Sequence, residues 1–245
     1  MTITIGFIGT GAIARTHAKI LSGFYEVSLS KVYDISNERS LSFCKEFSTT
    51  AVQNVDEVLE HCDAVYITSP NKTHAELTLS ALKKKKHVFC EKPFALNLPS
   101  AEDIITSAEK ANTVYQLGFN RRFAPAYMKM KNFISNKTLQ PKSFAIKMNR
   151  GELQNPPWTS DSSVTGGFLF ESTLHLIDMV RYLFGEVKTI TAVGSKSVYK
   201  CVDNFSMIFE MENGVHGVFS SSAHASWIFP FERVEIYGEH ASIFN

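Results

Sequence analysis

Over its first half the chain sets short apolar runs against amphipathic stretches in a strand–helix rhythm. Thr2 to Ile8 is an apolar run ending at glycine, and Ile13 to Leu21 has helical character. Val27 to Tyr33 predicts a second strand, Glu38 to Phe47 a helix, Val55 to Leu59 a short helix and Ala64 to Thr68 a compact buried strand. His74 to Lys86 predicts a helix with apolar Leu77, Leu79, Ala81 and Leu82. His87 to Cys90 follows as a strand, Ser100 to Ala111 as a helix and Val114 to Phe119 as a strand. Strands alternating with helices pair in parallel through right-handed crossovers, so this half is expected to be a doubly wound α/β sheet.

The rhythm changes after about residue 120. Pro125 to Ile134 predicts a helix and Lys142 to Met148 a strand. Residues 151–165, rich in Pro, Ser, Thr and Asp, predict a loop. Phe168 to Phe184 predicts a helix closed by Gly185, then strands at 187–194, 202–211, 215–222 and 231–237. Asn213-Gly214 marks a tight hairpin. Hairpin-linked strands imply a mostly antiparallel sheet in an α+β domain. The expected division is therefore 1–120 and 121–245.

Composition narrows the classes. With 25 Lys+Arg against 24 Asp+Glu the net charge is +1, which argues against an electrostatic nucleic-acid binder. Lys83 to Lys86 sits where cations favour a helix C-terminus. No apolar run approaches the length of a membrane span. The N-terminal stretch reads as a strand, not a signal peptide. Cys44, Cys62, Cys90 and Cys201 are scattered without a CxxC pair, which fits reduced thiols and a cytoplasmic location.

Gly9-Thr10-Gly11-Ala12-Ile13-Ala14 lies between the first strand and the first helix. Gly9 permits a tight turn, Gly11 lets backbone approach a pyrophosphate, and Ala14 is the third small position. Asp34 ends the second strand, where a carboxylate accepts from ribose hydroxyls and repels a 2′-phosphate. The pattern predicts NAD rather than NADP; the alternative reading of Asp34 is a helix N-cap.

Thr68-Ser69-Pro70-Asn71-Lys72-Thr73-His74, His87-Val88-Phe89-Cys90-Glu91-Lys92-Pro93, Gly118-Phe119-Asn120-Arg121-Arg122-Phe123 and Gly166 to Asp178 occur in that order. With the glycine motif they resemble the Gfo/Idh/MocA oxidoreductase family over the whole chain. The resemblance implies a Rossmann domain followed by an α+β domain with a large open sheet. That sheet's exposed face would make a homodimer or homotetramer. The implied activity is NAD(P)-dependent transfer of a hydride to or from a sugar or polyol, without a metal.

Hydride transfer leaves a proton to be managed. Lys92 follows a buried parallel strand, at whose carboxyl end ligands gather, and burial beside a cationic nicotinamide should lower its pKa. Glu171, His175 and Asp178 fall at i, i+4 and i+7 on one helix face, a set that as residue types also reads as metal ligands. By resemblance His175 is the acid/base, Lys92 positions the substrate oxygen or relays its proton, and Pro93 follows a cis bond. Ser69, Pro70, Asn71 and His74 would contact the cofactor near its nicotinamide, as would Glu91. His74 could instead be a solvent-facing residue at a helix start. Asn120 would lie near nicotinamide or substrate, Arg122 would be structural, and Trp158 would wall the sugar site or anchor its loop.

Many members carry Asp where this chain has Glu171, and an Arg where it has Thr159. The resemblance also implies that the sequence stops where the family's remaining strands begin, with an exposed edge as the expected result. A regulator that binds a dinucleotide without catalysis, or a decayed enzyme, is the alternative to a dehydrogenase. Lys92 and His175 favour the enzyme.

Overall fold

The structure, a computed structural model, describes residues 2–151, 156–224 and 231–245. Residues 152–155 of the expected 151–165 loop lie outside the described residues. The chain forms two compact units, Met1–Gly118 and Phe119–Asn245.

The first unit runs β1 (Ile3–Ile8), α1 (Ala12–Leu21), β2 (Val27–Tyr33), α2 (Asn37–Phe47), β3 (Thr50–Ala51), α3 (Val55–Glu60), β4 (Ala64–Ile67), α4 (His74–Lys83), β5 (His87–Cys90), α5 (Leu98–Ala111) and β6 (Tyr115–Leu117). The strands pair in parallel in the order β3-β2-β1-β4-β5-β6, the doubly wound arrangement expected. β3, two residues long, carries no readable periodicity. Caps set the helix starts: Ser36 accepts from Arg39 N, and Asn54 from Glu57 N. α4 stops three residues before the expected Lys86. Lys85 takes a positive φ of 54° and Lys86 N turns back to Ala81 O, which closes the helix. Apolar side chains pack on both faces of the sheet, one cluster around Val65, Ile67 and Leu82, the other around Phe7, Val32 and Phe43.

The second unit runs α6 (Pro125–Ser135), β7 (Pro141–Met148), α7 (Ser162–Thr165), a π turn (Leu169–Thr173), α8 (Leu174–Phe184), β8 (Val187–Ser195), β9 (Asn204–Met211), β10 (His216–Ser222), β11 (Glu232–Gly238) and β12 (Ser242–Phe244). The sheet order is β12-β11-β7-β10-β9-β8, antiparallel except between β7 and β10. β7 slots between two strands that come much later in the chain, which hairpin logic does not foresee. In the hairpin joining β9 and β10 only Gly214 takes a positive φ, 85°, so Asn213 is not left-handed. β9 starts at Asn204, later than expected. Asp203 is fully buried and holds the loop before it, accepting from the N–H of Ser197, Val198 and Tyr199 and from the Ser197 hydroxyl. α6 and α8 supply Tyr127, Leu176, Met179, Val180 and Leu183 to a core with Phe144, Phe209 and Phe219 of the sheet.

Candidate active site

The loops at the carboxyl ends of β1, β2, β4 and β5 hold most of the residues singled out in the first unit. Gly9 has φ 92°, and a Cβ there would stand 2.6 Å from Ser69 N. Only glycine fits both the conformation and the contact. The Thr68 hydroxyl donates to Gly9 O at 2.8 Å, so the loops after β1 and β4 are tied together. Gly11 differs: nothing lies within 4 Å of where its Cβ would be. It precedes Ala12 and Ile13 at the start of α1, which has no side-chain cap and no acidic residue in its first turn. An open glycine before an uncapped helix N-terminus is suited to an anion. These residues fit the pyrophosphate of a dinucleotide.

Asp34 closes the loop after β2. Its Oδ2 accepts from Thr10 N at 2.8 Å and the Thr10 hydroxyl at 3.0 Å. Its Oδ1 accepts from Ser36 N at 2.8 Å and from Arg39 Nε and Nη2 at 3.2 and 2.7 Å. Burial pushes this carboxyl up, but the donors of Arg39, Ser36 and Thr10 outweigh it and hold the pKa below its ordinary value. Ser36 rather than Asp34 is the α2 N-cap. Arg39 went unnoticed in the sequence, although its spacing from Asp34 across the cap was visible. Its side chain is half exposed and is the donor most able to swing away.

Glu91, Lys92 and Pro93 form the turn after β5, with a cis Lys92–Pro93 bond. Glu91 Oε1 lies 2.8 Å from His17 Nε2 on α1, and Glu91 Oε2 accepts from Lys92 N at 3.3 Å. The neighbouring Gly118 leaves room for that carboxylate, since a Cβ there would stand 2.8 Å from Oε2. Lys92 itself is half-buried. Nothing in the sequence pattern linked His17 to Glu91.

His74 opens α4, but not as a solvent-facing residue: it is fully buried. Its Nδ1 lies 2.6 Å from Pro93 O and its Nε2 2.7 Å from Ser69 O, so both ring nitrogens are engaged by the chain's own backbone. Ser69 and Thr73 share a hydroxyl–hydroxyl bond of 2.7 Å, and Asn71, next to Pro70, is buried.

In the second unit, Gly166 and Gly167 take φ of 83° and 93° and lead into the π turn. Glu171 lies in that turn, whereas His175 and Asp178 lie in α8, so the expected i, i+4 relation crosses a change of helix geometry. Such π turns are frequent at functional sites. Thr173 and Ser221 share a 2.7 Å hydroxyl bond that fixes the turn to β10. His175 is buried. Asp178 is held by Arg122, whose Nε and Nη2 donate at 2.7 and 2.6 Å. Arg150, unnoticed in the sequence, is half-buried just past β7. Burial and Arg121 hold its pKa below the ordinary value, opposed by Glu171 and Glu232. Asn120 starts a 3-10 turn and accepts from Arg121 Nη1 at 3.4 Å. Trp158 is exposed in the 3-10 turn Pro157–Ser160, where the Thr159 hydroxyl donates to Pro156 O. Among the described residues no group of three or more His, Cys, Asp or Glu could hold a metal, and no helix is long and apolar enough to cross a membrane.

A parallel β3-β2-β1-β4-β5-β6 sheet with this glycine loop defines a dinucleotide-binding fold. Residues 3–119 match the model described as the oxidoreductase family with an NAD-binding Rossmann fold, and residues 127–244 match the GFO/IDH/MocA C-terminal domain. The chain belongs to the GFO/IDH/MocA oxidoreductase family. It is similar to the myo-inositol 2-dehydrogenase of Thermotoga maritima, with 32% identity covering 98% of this chain and 74% of the relative. It is also similar to the glucose-6-phosphate 3-dehydrogenase of Bacillus subtilis, with 38% identity covering 74% of this chain and 53% of that one. A solved structure of a probable dehydrogenase from Thermotoga maritima superposes with a TM-score of 0.88 at 31% identity, over 99% of this chain and 75% of the other. The class is that of oxidoreductases with an NAD-binding Rossmann fold.

Proposed function

We propose that this chain transfers a hydride between NAD and one secondary hydroxyl of a sugar or cyclic polyol. What carries the reading is the gathering of the open Gly11, Asp34 and the Glu91-Lys92-Pro93 turn at the carboxyl ends of β1, β2 and β5 in one sheet. Two relatives named for inositol and for glucose 6-phosphate support the substrate class. The bound nicotinamide would supply the hydride acceptor. Gly9, Thr10, Gly11, Ala12 and Ile13 would hold the pyrophosphate and Asp34 the adenosine ribose. Ser69, Pro70 and Asn71 would border the nicotinamide. Lys92 would orient the substrate oxygen and share its proton, and His175 would take that proton as general base. Glu171, Asn120 and Trp158 would contact the substrate.

A panel of inositols, sugars and sugar phosphates, read by NADH absorbance, tests this. Turnover is expected with at least one compound. Lys92→Ala and His175→Ala should each lower kcat by roughly 10²–10⁴-fold, the range for a lost general acid or base, while NADH still binds. Turnover undiminished in both variants would reject the assignment.

The chain is further proposed to form a homodimer or homotetramer through the sheet face opposite α6 and α8. Val193 (72% exposed), Ile208 (52%) and Val218 (55%) lie on that face together, with Ala145, Lys147, Arg233 and Glu235 around a shallow hollow. Sedimentation showing a monomer at all concentrations would remove this. The four cysteines are free thiols, in keeping with a proposed cytoplasmic location.

A further inference from the structure

We propose that His74 is a positioning residue whose protonation sets the spacing between the Ser69 loop after β4 and the Lys92–Pro93 turn after β5. Its two ring nitrogens lie 2.6 Å from Pro93 O and 2.7 Å from Ser69 O. Both partners are carbonyl oxygens, which only accept. A neutral imidazole carries one N–H, so it can donate to one of them and turns a lone pair on the other. Two acceptors repel at such a distance, and the contact must open. The imidazolium donates to both. Donation to both carbonyls at once, with both loops held, is open to the charged ring alone.

The charge has opponents and allies on the page. Burial pushes the ring's pKa below its ordinary value, and Lys92 adds to that. The two carbonyls and the Glu91 carboxylate pull the other way. Glu91 in turn faces His17 from α1 at 2.8 Å. The brace is closed on the acid side and loses one of its two bonds as pH rises through the ring's own pKa. The two segments it joins are those assigned above to the nicotinamide and to the catalytic lysine, so the kinetic consequence rests on that reading. The protonation behaviour does not. A misplacement of about 1 Å can cost roughly a hundredfold in rate, which makes such a brace matter.

The test combines nitrogen NMR of histidine-labelled full chain with kinetics, over roughly pH 5 to 8, where histidines change charge. At the acid end both His74 nitrogens should carry protons, and one should be lost as the pH rises. The wild type should show a limb of kcat/KM for the sugar or polyol that falls over the same pH interval. His74→Asn carries an amide that can reach Pro93 O, His74→Gln one that can reach Ser69 O, and neither titrates. Both variants should lose that limb and turn over about tenfold to a hundredfold more slowly, within the range for a displaced reacting group. A single neutral tautomer at every pH would overturn the proposal, as would a limb that persists in both variants. The NMR titration needs neither turnover nor a variant. A chain without activity would thus defeat the dehydrogenase reading while the brace was still decided.

Discussion

In the first unit the candidate groups stand on loops at strand ends, while in the second they stand on one helix and the turn before it. A loop brings no regular hydrogen bonds of its own, so each of these loops is tied by side chains. Asp34 gathers Thr10, Ser36 and Arg39, Thr68 reaches Gly9 O, His74 spans Ser69 O and Pro93 O, and Glu91 joins His17 to Lys92 N. α8 satisfies most of its own backbone and is held by burial on the sheet, the Thr173–Ser221 bond at its entry, the Arg122–Asp178 pair on its flank, and Lys131 and Asn213, which donate to Tyr182 O and Phe184 O in its last turn. Placement in the first unit is thus polar and sensitive to protonation, and in the second mainly apolar.

The comparison breaks most sharply at glycine. Gly9→Ala should destabilise the chain by about 2–4 kcal/mol, from strained backbone plus overpacking against Ser69 N. Gly11→Ala, with open space at its Cβ, should leave the melting temperature nearly unchanged and weaken NADH binding instead. Calorimetry and NADH titration read the two effects separately; equal melting losses would show that the loops are not tied as described.

Acid exposes an exception in the second unit, at a loop away from its candidate groups. Burial pushes Asp203 up, yet its four donors leave its pKa below the ordinary value. Its carboxylate therefore contributes stability above the unfolded pKa of about 3.9, and that contribution is lost as pH falls through the lower folded value. Asp203→Asn should cost about 1–3 kcal/mol near neutrality, the range for hydrogen bonds to a charged group, and the difference from wild type should shrink in acid. A difference constant with pH in denaturant titrations would contradict this. The smallest stability effect is expected at Val218→Lys, within about 0.5 kcal/mol as for an exposed site, although it should split the proposed oligomer in sedimentation. Its oligomer surviving intact would move the interface elsewhere.

The alternation of β-runs and helices foretold the parallel sheet because each strand there pairs with neighbours fixed by short crossovers. It could not place β7 between β10 and β11, since that pairing is chosen by packing across a long stretch of chain. The glycine loop and Asp34 were legible because their chemistry is local to one β–α–β stretch. His17, Arg150 and Arg39 were missed, the first two because their partners lie 74 residues away or on separate turns and a distant strand.

The sequence by itself determined the kinds of group available: an open glycine loop, an acid after β2, a lysine after β5, a histidine on the second unit's helix. Tertiary structure alone decided which of them are already engaged. Two carbonyls from separate loops converge on His74, Arg122 captures Asp178, and five hydrogen bonds from three residues converge on Asp34. The reason is that a polar atom's partner, once buried, is fixed by where the backbone folds rather than by what stands next to it in the chain.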